Sequence, residues 1–342
     1  MSGFPATTES SAAIALLELI QGAVVTQAIH VAASLCVADA LSDGSLTSTE
    51  IAERVGADPE AVHRLLRLLS GYSVFAQESD DRFKLTPMAD ALRADAPDSM
   101  RGIALLMGHP TLWEEWVHLV TSVRTGEANM PKLRGMHPFE YIAANPEYGM
   151  AFGYGMACLS GVETAPVLAA YDFSRFRKVV DVGGGRGALL AGILRQAADA
   201  HGILFDSPHG TTGADSVLAE AGVADRCTIQ NGSYFEGVPS GGDAYLLKHT
   251  VHDFPEPMSL QILRNIRDAI SPDGTLLVME YVLTEENTRH VGNIFDMWLM
   301  LLLDGKERTQ PQYAALLAAA GFRLNRIVPT TSPVSIIEAL PA

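Results

Sequence analysis

The chain is poor in cysteine, in positive charge and in unbroken hydrophobic length. Its three cysteines, Cys36, Cys158 and Cys227, stand far apart and show none of the close paired spacings of zinc sites or redox motifs. They are expected to be reduced thiols of a cytoplasmic protein. Lys and Arg number 24 against 40 Asp and Glu, a formal charge of -16. So acidic a surface repels phosphate backbones and anionic headgroups, which makes nucleic acid and membrane surface poor choices of partner. The opening residues, MSGFPATTESS, lack the basic region and apolar core of a signal peptide. The most apolar long stretch, 13–40, is broken by Glu18, Gln21, Gln27 and His30, so no membrane span is expected.

At 342 residues the chain is long enough for about two domains. Between residues 12 and 41, Leu16, Leu17, Ile20, Val24, Val25, Ile29 and Val31 occupy more than one face of a helix, which must bury itself on two sides. A homodimer is the expected cover, with an ordinary core helix as the alternative. In residues 46–92, Thr47 and Glu50 form a capping box, and Gly56 closes that short helix. Asp58 and Pro59 open a second helix carrying Val62, Leu65, Leu66 and Leu69 on one stripe. SVFAQ, a polar ESDD turn and RFKLT then form a hairpin. Helix, turn, helix and hairpin make a winged-helix pattern. Glu60, Ala61, Val62, His63, Arg64 and Arg67 offer little charge for a recognition helix, so a structural and dimerising module is preferred to a DNA-binding one.

Residues 99–170 are expected to be mostly helical, with Trp113, Trp116, Leu119 and Val120 on one face. From Phe176 short apolar runs, KVVDV, GILFD, RCTIQ, DAYLLK and TLLVMEYVL, alternate with helix-length intervals. This predicts a parallel, doubly wound α/β sheet. The expected divisions are a dimerisation domain over 1–100, a connecting and substrate-lining segment over 101–172, and a Rossmann-like domain over 173–342.

The first of these strands runs directly into DVGGGRGALL. Gly183, Gly185 and Gly187 let a strand turn sharply into a helix whose N-terminus faces a ligand. Asp206, at the end of the next strand, can accept both ribose hydroxyls of a nucleoside. Gly183, Gly185 and Ala188 satisfy a loose dinucleotide fingerprint, so the glycines alone do not exclude NAD. Asp181, two residues before the first glycine, would repel a pyrophosphate but suits a cation. S-adenosylmethionine is a nucleoside with an ammonium, a sulfonium and no phosphate.

With LLKHTVHDFPE, DGTLLVMEYVL and GKERTQPQYAALLAAAGF added to these motifs, the chain resembles the small-molecule O-methyltransferases of plant phenylpropanoid and bacterial antibiotic and pigment pathways. The resemblance covers nearly the whole length. It implies a winged-helix dimerisation domain, then a Rossmann-like S-adenosylmethionine-dependent methyltransferase domain acting on a hydroxyl of a small aromatic metabolite. By the same resemblance His252 is the general base, flanked by Glu280 and Glu307. An imidazole titrating near neutrality is suited to taking a hydroxyl proton. Asp181, Gly183, Gly185, Asp206 and Lys248 fall in the cofactor pocket. Ser233 and Tyr234 stand in GSYF, where the family reads GDFF and holds the adenine with its aspartate. Phe152 and Met156 match a substrate clamp, Leu299 and Met300 a pocket-lining helix, and His249 a pocket wall. His249 and His252 as a metal pair would lack further ligands at sensible spacing, so no metal is expected. Two other functions remain open: relatives that keep the cofactor but perform hydroxylation or other chemistry, and a winged-helix regulator that senses a small ligand.

Overall fold

The structure is a computed structural model and describes residues 11–78, 81–286 and 288–342. The chain divides into two compact units, residues 1–113 with 147–159 and residues 114–146 with 160–342. The segment expected to connect the domains, 101–172, is thus shared between the units, and the long helix Pro146–Ala170 contributes residues to each.

In the first unit, Ser11 accepts a hydrogen bond from the Ile14 N–H and opens the helix Ala12–Ile20, which Gly22–Ser34 continues after Gln21. Only Ala28, Ala32 and Ala33 of this pair are buried. Leu16, Leu19, Ile20 and Val24 are more than half exposed. The polar interruptions do less than expected, because residues 12–34 are long and apolar enough, by length and composition, to cross a membrane. The capping box of Thr47 and Glu50 opens the helix Ser48–Val55, left-handed Gly56 closes it, and Asp58 caps Pro59–Gly71. These helices bury Ile51, Val62, Leu66 and Leu69 with Phe75 and Phe83. The phenylalanines come from β2 (Phe75–Gln77) and β3 (Arg82–Leu85), which with β1 (Leu46–Thr47) form a small antiparallel sheet in the order β1-β3-β2. Part of the ESDD turn lies outside the described residues.

The second unit is built on β4 (Lys178–Val182), β5 (His201–Asp206), β6 (Cys227–Asn231), β7 (Ala244–Lys248), β8 (Thr275–Leu283), β9 (Arg308–Thr309), β10 (Phe322–Pro329) and β11 (Val334–Pro341). Their order is β10-β11-β8-β7-β4-β5-β6, with β9 beside the end of β8. Strands β6, β5, β4, β7 and β8 are mutually parallel. The apolar runs of the central strands are explained by packing on both faces. Val179, Leu204, Leu246 and Leu277 point to one cluster, and Val180, Ile203, Tyr245 and Val278 to the other. The sheet is mixed rather than wholly parallel, because β11 pairs antiparallel with both β8 and β10. Strand order reverses between β4 and β7, and a ligand crevice of such a sheet opens there, beyond the carboxyl ends of the strands.

Candidate active site

Both edges of that crevice come from residues that end strands. After β4, Gly183, Gly185 and Gly187 all adopt left-handed backbone, which glycine takes without strain. A Cβ on Gly184 would lie 2.6 Å from the Asp181 Oδ2. The loop is tied to the next strand by the Gly185 N–H, which donates to Asp206 Oδ2 at 2.9 Å, while the Ser207 N–H donates to Oδ1 at 2.6 Å. Asp181 is buried, and its Oδ2 has no hydrogen-bond partner. Burial, then the charge of Asp206, raises its carboxyl to about 7 against the pull of Lys248. An orphaned acidic oxygen beneath an open glycine loop suits a cationic nucleoside and is unfavourable for a pyrophosphate. Ser233 accepts from the Phe235 N–H at 3.3 Å. The Tyr234 ring packs on Phe235 and Phe254, with centroids 4.9 and 6.1 Å away.

The opposite edge is the turn after β7. His252 lies in a short 3-10 turn, Val251–Asp253, and its side chain is 6% exposed. Nδ1 stands 2.8 Å from Glu307 Oε1, and Nε2 stands 3.4 Å from Asp253 Oδ1. Burial favours the neutral ring, but the charge of Glu307, then that of Asp253, outweighs it and lifts His252 to about 10. Glu307 is delivered by the GKERT loop. The Lys306 N–H donates to the His252 carbonyl at 2.9 Å, and the Glu307 N–H donates to Asp296 Oδ1 at 2.8 Å. A Cβ on Gly305 would collide with the His252 carbonyl, so only glycine lets the loop approach so closely.

Glu280 lies near the imidazole, but its hydrogen bonds go elsewhere. Its Oε1 accepts the backbone N–H groups of Thr250 (3.2 Å) and His252 (3.0 Å), and its Oε2 accepts the Tyr313 hydroxyl. It holds the turn, while Glu307 holds the ring. Ligand atoms of His252, Glu280 and Glu307 fall within 4.8 Å of one another, a spacing that would suit a cation. The hydrogen bonds just described already engage all three residues.

Lys248 and His249 meet a residue with no sequence signal, Glu163 of the long helix, which is 1% exposed. Its Oε2 accepts from Lys248 Nζ at 2.6 Å and pairs with His249 Nε2 at 2.9 Å, and its Oε1 accepts the Tyr281 hydroxyl at 2.9 Å. Burial would raise the Glu163 carboxyl, but His249 and Lys248 hold it down at about 2. Burial and the Lys248 charge push His249 to about 4, so this ring is neutral at neutral pH. It has left-handed backbone and stacks on the His252 ring, with centroids 5.0 Å apart. Lys248 is thus ion-paired with Glu163, and its charge also bears on Asp181 beneath the glycine loop.

The residues matched to the substrate are divided. Leu299 is buried and Met300 half-buried on the helix Val291–Leu302 of the second unit. Phe152 and Met156, both half-buried, belong to the first unit, where the Phe152 ring lies 6.4 Å from that of Tyr148. Tyr281, Asp296, Gly305 and Tyr313 were, like Glu163, not singled out from sequence. Of these, Gly305 and Tyr313 at least stand inside the quoted GKERTQPQY motif.

Comparison with known proteins places the chain in a family. A sequence model of the O-methyltransferase domain matches residues 116–323, and one of the O-methyltransferase dimerisation domain matches residues 17–95. The chain is similar to the phenazine O-methyltransferase of Lysobacter antibioticus, 40% identical over 326 residues that cover 95% of each chain. Among solved structures it resembles the mitomycin 7-O-methyltransferase, with a TM-score of 0.88 and 36% identity, covering 97% of this chain and 98% of the other. It resembles equally a methyltransferase of calicheamicin biosynthesis in its SAH-bound form, with a TM-score of 0.88 and 32% identity over 98% and 100% of the two chains. The chain belongs to the S-adenosylmethionine-dependent O-methyltransferases that carry an N-terminal dimerisation domain.

Proposed function

We propose that the protein methylates a hydroxyl of a small, planar aromatic metabolite of the phenolic, polyketide or phenazine type, with His252 handling the acceptor proton. The observation that carries this is the buried hydrogen bond between His252 Nδ1 and Glu307 Oε1, 2.8 Å long, at the strand ends that also carry the glycine loop. Bound S-adenosylmethionine supplies an electrophilic methyl group and a nucleoside. Asp181 and the loop Gly183 to Gly185 are suited to its cationic part, Asp206 to its ribose, and Ser233 and Tyr234 to its base. Ser233 offers a neutral acceptor only. The cluster around Glu163 holds Lys248 and His249 in place beside the base.

The proton count at His252 decides which acceptors suit the site. Its ring holds a proton in the resting protein up to about pH 10. An acceptor entering as its oxyanion faces an imidazolium, and an acceptor entering as a hydroxyl faces a neutral imidazole. Both pairs hold one proton between oxygen and nitrogen, and both lead to the same nucleophilic oxygen. Glu307, fixed on Nδ1, stabilises the imidazolium and leaves Nε2 for the acceptor. Acidic aromatic hydroxyls fit this balance best.

The exposed apolar helices of residues 12–34 are proposed to be covered by a second copy of the chain, making a homodimer through the first unit. The cytoplasm, where free thiols persist, is the proposed compartment, as all three cysteines are unpaired. The test of function is a panel of phenolic, naphthoate and phenazine acceptors with labelled methyl donor. Transfer of label to an aromatic oxygen is expected. Tight cofactor binding without methylation of any acceptor would instead favour other chemistry on the same scaffold.

A further inference from the structure

The Tyr313 hydroxyl is a buried group that the proposed reaction does not use directly. Tyr313 is 1% exposed on the helix Gln310–Ala319, whose start is fixed by a capping box between Thr309 and Gln312. Its hydroxyl donates to Glu280 Oε2. The other oxygen of the same carboxylate accepts the N–H groups of Thr250 and His252. A chain of hydrogen bonds therefore runs from a helix beyond the GKERT loop, through Glu280, to the backbone that carries the base. Burial, then the nearby charges of Glu280 and Glu307, pushes the phenol well above its ordinary range, against the opposing charge of Arg308. The hydroxyl is thus a donor at every working pH.

We infer that Tyr313 is a positioning residue for His252: its hydroxyl occupies Glu280 Oε2, so that the carboxylate latches the 250–252 backbone and stays off the imidazole, which is left to Glu307. Without the hydroxyl, Oε2 is a buried acceptor with no donor, and such groups recruit a new one or a proton. Two donors face this cluster, the His252 ring and the Arg308 guanidinium, whose Nη2 has no hydrogen-bond partner among the described residues. Of the two, the ring has a nitrogen within 4.8 Å of a Glu280 oxygen and already interacts favourably with it when charged. Two carboxylates would then compete for one imidazolium, and the ring would release its proton less readily. Glu307, Asp253 and Arg308 are the other charged groups facing this cluster. Tyr313 touches neither substrate nor cofactor in this account, which rests on His252 handling the acceptor proton.

Tyr313→Phe keeps the ring that fills the core and removes only the donor. The expected result has three parts: cofactor dissociation constant and acceptor KM within about twofold of the parent, kcat lower by about tenfold, and an upward shift of the His252 ring titration in nitrogen-15 histidine NMR. Glu280→Gln combined with Tyr313→Phe should be no worse than Glu280→Gln alone, since both break one chain. Should Tyr313→Phe fold poorly, 3-fluorotyrosine incorporated at position 313 keeps the hydroxyl as a stronger donor and should shift the His252 titration downward. An unmoved His252 titration, or strictly additive effects in the double variant, would overturn the inference. Failure of the underlying function looks different: His252→Ala would then turn over normally, whatever Tyr313→Phe does.

Discussion

His252 and Glu307 face each other across 2.8 Å with almost no access to solvent, the side chains being 6% and 0% exposed. A buried pair of this kind depends on both partners. Removing one leaves the other unpaired in a medium that penalises charge.

The first consequence concerns alkaline stability. His252 is raised from its ordinary value of 6.5 to about 10, so the folded state binds a proton that the unfolded state releases. This contribution is fully present below about pH 6.5 and is lost as pH rises toward 10. Glu307→Gln should be less stable at pH 6 and show a flatter decline of unfolding free energy between pH 6.5 and 10 by denaturant titration. A parallel decline in parent and variant would show that the pair is not the source.

Gly305 sets how close the GKERT loop comes to the base. Gly305→Ala should destabilise the fold by about 1–3 kcal/mol, the usual cost of forcing atoms into packed space. It should also lower kcat more than KM, because Glu307 retreats with the loop. Wild-type turnover and midpoint in this variant would mean that the loop has room to spare.

Acid behaviour falls to Glu163 and His249. Glu163 sits near 2 in the folded protein against an ordinary 4.5, so its stabilisation is present above about 4.5 and lost as pH falls toward 2. His249, held near 4 against 6.5, adds to this, since the unfolded state takes up protons that the folded one refuses below about pH 6.5. Glu163→Gln should lower stability at neutral pH, approach the parent under acid conditions, and unmask the Lys248 charge. Equal acid sensitivity in the two proteins would remove Glu163 from this role.

The exposed face of residues 12–34 predicts assembly. Leu19 is 78% and Ile20 65% exposed, an apolar surface that a lone chain would leave in water. Leu19→Glu with Ile20→Glu should shift the protein from dimer to monomer in sedimentation velocity. An unchanged dimer would place the interface elsewhere.

Much of this was legible in the sequence because its signals are local. The capping box at Thr47, the Asp58 cap and the glycine loop are each fixed within a few residues. Four of the five parallel strands announce themselves as apolar runs because both faces are buried, while β6, at the sheet edge, has no fully buried residue. The antiparallel edge β10 and β11 went unread, since FRLNRIVP alternates too loosely to mark a strand by itself. Glu163 was illegible for a different reason. Its three donors come from residues 248, 249 and 281, and in sequence it is one acid in a long helix. The part of Glu280 followed the same logic: its position in VMEY was visible, but whether it holds a ring or a backbone depends on Tyr313, 33 residues away.

The most direct test is methyl transfer by His252→Ala under saturating methyl donor, with cofactor affinity measured on the same preparation. The expected outcome is cofactor affinity within about twofold of the parent and turnover reduced by about 10²–10⁴, the range spanned by a positioned acid or base. Intact turnover in His252→Ala, measured with an acceptor that the parent methylates, would contradict the assignment of this residue to the acceptor proton.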